Sequence, residues 1–229
     1  QTAHPRARRT LHREVAALAG NLHPGLPRLL ADGSAADEPY VVLEYVDGPT
    51  LADEVDDNGA FAPDDVAVLG AQLLSALLAL HARGLAHLDL KPDNVALCHG
   101  RPVLLDFGST RALGSGQPSG RPIGSPGYAA PELEAGAPIH PAMDLYGLGA
   151  TLHELLAGAP TFAPELAAAA RPAAPPVPPS PLTPTVQALL APDPALRPDA
   201  WTTLRALGRS AAATGREVWP GWADSYLPT

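Results

Sequence analysis

The sequence predicts an α+β domain that is mainly helical, with a few short strands. Two long, almost wholly apolar segments, 63–81 and 144–158, read as buried helices. Four short β-prone runs, 26–30, 40–45, 95–97 and 103–105, are too brief to build a large sheet. At 229 residues, the chain is long enough for one substantial core or two small ones.

Each element follows from local pattern. Leu11, Val15 and Leu18, with Leu22 less regularly, give helical spacing to residues 8–19, and Asn21 and Pro24 close that helix. Runs 26–30 and 40–45 flank the turn signal Ala31-Asp32-Gly33-Ser34. Pro63-Asp64-Asp65 is a helix opening, with proline and acids in the first turn, and Gly84 stops the helix that follows. Val95-Ala96-Leu97 and Val103-Leu104-Leu105 form a hairpin about His99-Gly100. Gly, Ser and Pro over 114–127 predict a mobile loop, and the proline-dense 171–184 predicts polyproline or irregular chain. Two short helices, 184–190 and 200–207, complete the core. Trp219, Trp222 and Tyr226 lie among Pro and Gly in a tail that is expected to pack back on residues 48–210. There is no internal repeat. The resulting division is 1–47, 48–210 and a tail, 211–229.

Composition narrows the function. A net charge of -9 argues against nucleic acid as the main partner, because phosphate binding needs a basic surface. The single cysteine, Cys98, excludes an internal disulfide framework and a cysteine zinc cage, and suits a reducing compartment. No run of about 20 uninterrupted apolar residues is present to span a bilayer, and no charged-then-apolar leader opens the chain. The cytoplasm is therefore the expected location. Arginine replaces lysine everywhere except at Lys91, which suggests a chemical role for that one amine rather than a solvated loop charge.

The chemistry lies in His87-Leu88-Asp89-Leu90-Lys91-Pro92-Asp93-Asn94 and in Asp106-Phe107-Gly108. An acid, an amine and an amide share one short loop, and a second acid follows an apolar strand. Phosphoryl transfer from Mg-ATP needs such a set: a group to hold the attacking hydroxyl, a cation for the developing charge, and hard oxygen ligands for metal. Ala130-Pro131-Glu132 follows after an intervening loop.

By these ordered motifs the chain resembles the bacterial, eukaryotic-like Ser/Thr protein kinase family over residues 8–207, which implies a protein-kinase-like α+β fold with a mainly helical large lobe and a partial small lobe. The resemblance implies Asp89 as catalytic base or positioner, Lys91 at the transferred phosphate, and Asn94 and Asp106 as Mg2+ ligands. It implies ATP as phosphate donor, with Leu43 guarding the adenine site, Glu44 and Val46 on the hinge, Ala96 and Asp106 also lining the site, and a protein Ser or Thr hydroxyl as acceptor. Glu132 would pair with Arg197, Asp144 would anchor the catalytic loop, and Leu18, His87 and Phe107 would stack as a column. Ser125 and Tyr128 fall in a stretch that resembles the substrate-docking loop.

Two departures stand out. Leu88 occupies the position of the arginine that ordinarily reads a phosphate on the loop 108–130, so control through that arginine is not expected. No Gly-rich phosphate loop and no Val-Ala-x-Lys strand precede the first helix, which leaves Glu14 without its lysine. Arg6, Arg8 and Arg9 lie upstream of it, and the sequence appoints none as a substitute. Because the chain opens at Gln1 and its only methionine is Met143, a piece of a longer kinase is expected. The alternative is a truncated fold whose missing strands are dispensable or come from a partner that pairs with the exposed strand edge. Two other functions compete with the kinase reading. A pseudokinase or scaffold fits the missing lysine but not the complete base and metal set. A small-molecule phosphotransferase of the aminoglycoside-kinase type does not fit Ala130-Pro131-Glu132, Asp144 and Arg197.

Overall fold

A computed structural model describes residues 5–20, 23–117, 123–163, 176–177 and 179–218. Helix α1, Pro5–Leu18, is followed by the antiparallel pair β1, Leu29–Gly33, and β2, Tyr40–Leu43. These three elements are the partial small lobe. Leu26 does not join β1 as predicted: it turns inward in a His23–Leu26 backbone turn and is buried in the core. The strand instead extends to Gly33, through the predicted turn. The reversal follows it, closed by the Ala36 amide on the Gly33 carbonyl and by the Ser34 amide on Asp32 Oδ1 at 2.8 Å. Strand β2 ends at Leu43, two residues short of prediction, and Tyr45 is 85% exposed.

Helix α2, Leu51–Asn58, was not anticipated from periodicity. Its signal is Thr50-x-x-Asp53. Thr50 Oγ1 accepts the Asp53 amide, and the Asp53 carboxylate accepts the Thr50 amide, which is a complete capping box.

The large lobe is built on α3, Pro63–His81, and α5, Ala142–Ala157. Most of α3 and nearly all of α5 is buried, as their lack of a polar face requires. Among the described residues only α3 is long and apolar enough to cross a membrane, and two thirds of that span (67%) is buried inside the fold. Helix α6, Thr183–Leu189, and helix α7, Ala200–Ala213, close the core. The latter runs six residues beyond the predicted 207 because Leu207 and Ala211 continue its buried stripe. A short α4, Pro131–Glu134, precedes α5.

Between α3 and α5 lie two small antiparallel pairs. One joins β3, Leu85–Ala86, to β6, Arg111–Ala112; the other joins β4, Val95–Cys98, to β5, Arg101–Leu104. The second is the predicted hairpin, with His99 and Gly100 both at positive φ in its turn. The chain enters the large lobe by crossing β4 at Gly48, where a side chain would run into the Leu97 carbonyl, and the Leu97 amide donates to the Pro49 carbonyl at 2.8 Å.

The loop predicted as mobile, 114–127, includes 118–122, which lie outside the described residues. Its flanks are tied down: Gly114 donates to the Ile139 carbonyl, Ile139 donates to that of Ser115, and Gln117 Nε2 donates to the carbonyls of Leu133 and Ala137. The proline-dense stretch (but for 176–177 and 179–184) and Trp219, Trp222 and Tyr226 also fall outside the described residues.

Candidate active site

The candidate catalytic loop, 87–94, is organised from below by Asp144, in the first turn of α5. Its Oδ1 accepts the Leu88 amide at 2.7 Å, and its Oδ2 accepts the His87 amide at 2.9 Å and a bond from His81 Nε2 at 2.8 Å. Burial works to raise the Asp144 pKa, but the His81 bond and charge, then His87 and the Leu88 amide, outweigh it and hold the carboxyl below its ordinary range. The two amides fix Leu88 in the left-handed region at φ 69°, a conformation that β-carbon sterics disfavour. The Leu88 side chain is buried against the core, where an arginine would need a counter-charge.

This bend aims the next residues. The Asp89 carbonyl accepts Asn94 Nδ2 at 2.8 Å, closing the loop over a single 3-10 turn at 92–94. The Asp89 amide donates to His87 Nδ1 at 3.3 Å, and His87 Nε2 meets the Leu105 carbonyl at 3.1 Å. Asp89 Oδ1 is buried and has no hydrogen-bond partner among the described residues. A buried acceptor left open is costly unless something donates to it, and a substrate hydroxyl is such a donor. Lys91 Nζ stands 3.6 Å from Asp93 Oδ2, the nearest counter-charge to the only amine on the loop.

Asp106 follows β5 and also adopts positive φ, 55°. Its carboxylate is exposed, and Oδ1 accepts the Gly108 amide at 3.0 Å. That leaves Oδ2, together with the amide oxygen of Asn94, whose Nδ2 is spent on Asp89. Two hard oxygen donors fit Mg2+, which keeps waters and substrate phosphates in its shell rather than demanding an all-protein cage. Among the described residues there is no cluster of three or more His, Cys, Asp or Glu side chains that could serve as such a cage.

Behind the loop, His87 and Phe107 pack edge-to-face, with ring centroids 5.3 Å apart at 87°, and both are buried, as is Leu18 on α1. Glu14 lies near Asp106. Burial first, and then the Asp106 charge, raise its pKa, and no cation pairs with it among the described residues. Arg8 cannot substitute, because its guanidinium is taken by the carbonyls of Ser34 and Asp37.

The hinge residues are placed with their backbone polarity partly spent. The Glu44 amide donates to the Arg28 carbonyl at 2.8 Å, and its side chain accepts from Arg28 Nε and the Arg28 amide. Among the described residues the Glu44 carbonyl and both backbone groups of Val46 have no hydrogen-bond partner. Leu43 packs against the core, and Ala96 is buried in β4, bridged to Thr50. The structure thus brings Asp89, Lys91 and Asn94 onto one pinned loop and sets Ala96 on the adjoining strand.

Three contacts were not read from the sequence. Arg13 and Arg111 both reach the Gly108 carbonyl, and Tyr128 Oη donates to Glu154 Oε2 at 2.5 Å. Burial, then that carboxylate, push the Tyr128 pKa up. None has a local spacing signal, since each joins segments separated in the chain or depends on a side-chain direction.

A fold of this two-lobed plan carrying this loop is that of the protein-kinase domain, and comparison with known proteins agrees. A profile for the protein kinase domain matches residues 1–200, and the chain belongs to that family. It is 38% identical over 162 residues to serine/threonine-protein kinase C of Synechocystis, covering 66% of this chain and 30% of that protein. It is 38% identical over 159 residues to serine/threonine-protein kinase PkaA of Streptomyces coelicolor, covering 66% and 29%. Serine/threonine-protein kinase 36 of Pongo abelii is 36% identical over 156 residues, 67% of this chain and 12% of that protein. The chain thus corresponds to less than a third of the length of each of these relatives.

Proposed function

We propose that this chain carries the phosphotransfer centre of a Ser/Thr protein kinase, moving the γ-phosphoryl group of ATP to protein hydroxyls. The observation that carries this reading is Asp89 Oδ1, buried and unpaired on a loop that Asn94 and Asp144 hold in place. Asp89 accepts the hydrogen of the acceptor hydroxyl, whose oxygen bonds to the γ-phosphorus as the bond to the β-phosphate oxygen breaks and ADP leaves. Lys91 faces the charge on the transferred group. Asn94 and Asp106 would hold Mg2+, which when bound neutralises phosphate charge and orients the γ-phosphoryl group.

The adenine would lie over Ala96, with the open Glu44 carbonyl and Val46 backbone groups as its hydrogen-bond partners and Leu43 at the rear. Further strands are expected beside β1 and β2: a two-stranded sheet is marginal alone, and Leu30, Tyr40 and Val42 are exposed on it. ATP chemistry and the unpaired thiol Cys98 support a cytoplasmic setting.

Titration calorimetry with ATP, with and without Mg2+, tests the reading. Binding that needs Mg2+ and is lost in Asp106→Ala is the expected result. Mg2+-independent binding, or none, would remove the metal assignment and favour a scaffold.

A further inference from the structure

Gly108 joins two parts of the molecule through its two backbone groups. Its amide donates to Asp106 Oδ1 at 3.0 Å, and its carbonyl accepts Arg13 Nη1, from α1, at 3.3 Å. Arg111 Nη1 reaches the same carbonyl at 3.3 Å and the Thr110 carbonyl at 2.8 Å. The Thr110 amide donates to the Phe107 carbonyl at 3.1 Å, so 106–110 is a closed turn. The fit is tight on both sides: a β-carbon at 108 would lie 3.0 Å from Thr10 Cγ2 and 3.1 Å from Asp106 Oδ1.

Two guanidinium groups converging on one carbonyl is an unfavourable arrangement by itself. Neither forms an ion pair among the described residues, and Arg111 Nε is buried with no partner. Burial and then Arg13 bring the Arg111 pKa down to about 10, and burial and then Arg9 lower that of Arg13.

We propose that Arg13 and Arg111 are positioning residues that clamp the Gly108 carbonyl and thereby couple the seating of α1 to the orientation of the Asp106 carboxylate. The Arg13–Gly108 bond links the first helix to the segment that carries Asp106, while Glu14 on the same helix pairs with no cation among the described residues. Displacing α1 releases Gly108, and with it the hydrogen bond that orients Asp106. The consequence for metal binding rests on the kinase reading above; the clamp itself does not.

The test compares the unaltered chain with Arg13→Met, Arg13→Lys and, as a control on the same helix, the exposed His12→Gln. Two quantities are read: amide hydrogen exchange across residues 106–111 without ligand, and the Mg2+ concentration for half-maximal ATP binding. Arg13→Met should speed exchange at 106–111 about tenfold and raise the Mg2+ requirement similarly, the scale of one charge-assisted hydrogen bond. Arg13→Lys should restore much of both, and His12→Gln should change neither. Unchanged exchange at 106–111 in Arg13→Met, or an increase spread evenly over the whole chain, overturns the clamp. Should the unaltered chain show no Mg2+-dependent ATP binding, the metal assignment fails, and exchange alone decides the clamp.

Discussion

Arg197 grips Glu132 with both arms of its guanidinium, Nη1 to Oε1 at 2.6 Å and Nη2 to Oε2 at 2.8 Å, while lying over the Tyr146 ring at 4.9 Å. Its remaining donors go to the carbonyls of Ala142, Ala191 and Pro192. The pair ties α4 to the chain ahead of α7 across a region where the arginine side chain is fully buried. A planar fork satisfied in this way is stable in low dielectric, whereas a lone charge there is not.

Removing one partner should therefore be severe. Arg197→Ala is expected to cost about 3–5 kcal/mol, and Arg197→Lys nearly as much, because an ammonium cannot reproduce the fork. Urea unfolding followed by circular dichroism checks this, and a lysine variant as stable as the parent would refute it.

Asp144 makes a different demand. Asp144→Asn keeps the shape but replaces one acceptor with a donor facing the amides of His87 and Leu88. Stability should fall by about 2–4 kcal/mol, on the order of a broken buried charged network. Any nucleotide-dependent activity should fall further than stability accounts for, because Leu88 is released from φ 69° and Asp89 is re-aimed. Activity retained by a folded Asp144→Asn protein would contradict this role.

Leu88 allows a test of backbone strain. Its side chain is buried, so Leu88→Ala should cost about 2–4 kcal/mol. Glycine removes more side chain but relieves the left-handed strain, about 1 kcal/mol. Leu88→Gly should therefore be no less stable than Leu88→Ala, the reverse of the order at ordinary positions. Thermal midpoints of the two variants decide it.

Stability should depend on pH through His23. Its Nδ1 accepts the Gly25 amide at 3.0 Å, which leaves Nε2 to donate to Ser75 Oγ at 3.0 Å, so the folded ring is neutral. Burial lowers its pKa to about 4, from an ordinary 6.5. The unfolded chain then binds the proton more readily, so stability present above pH 6.5 declines as pH falls toward 4. The loss is roughly 2–3 kcal/mol at the low end of that window. In His23→Gln the slope of unfolding free energy between pH 7 and 5 should flatten, and an unchanged slope would assign the dependence elsewhere.

Thr50→Ala should remove the capping box of α2, at a cost of about 1 kcal/mol. Asp53→Ala, which deletes the reciprocal bond, should cost a similar amount, and the double variant less than the sum.

The candidate site of this chain is legible in its sequence because it is local. Asp89, Lys91 and Asn94 share one six-residue loop, and Asp106-Phe107-Gly108 is contiguous, so spacing alone brought the groups together. The same holds for α3, α5 and the 95–104 hairpin, whose apolar runs and turn residues specify them within a short window. What tertiary structure decided is non-local. The inward turn of Leu26 and the length of β1 depend on what Leu26 packs against. The positive φ of Leu88 and Asp106 is imposed by Asp144 across the core and by the closed turn around Gly108. The meeting of Arg13 and Arg111 at one carbonyl joins residues nearly a hundred positions apart. No periodicity encodes such encounters, because they arise only when burial forces distant polar groups to satisfy one another.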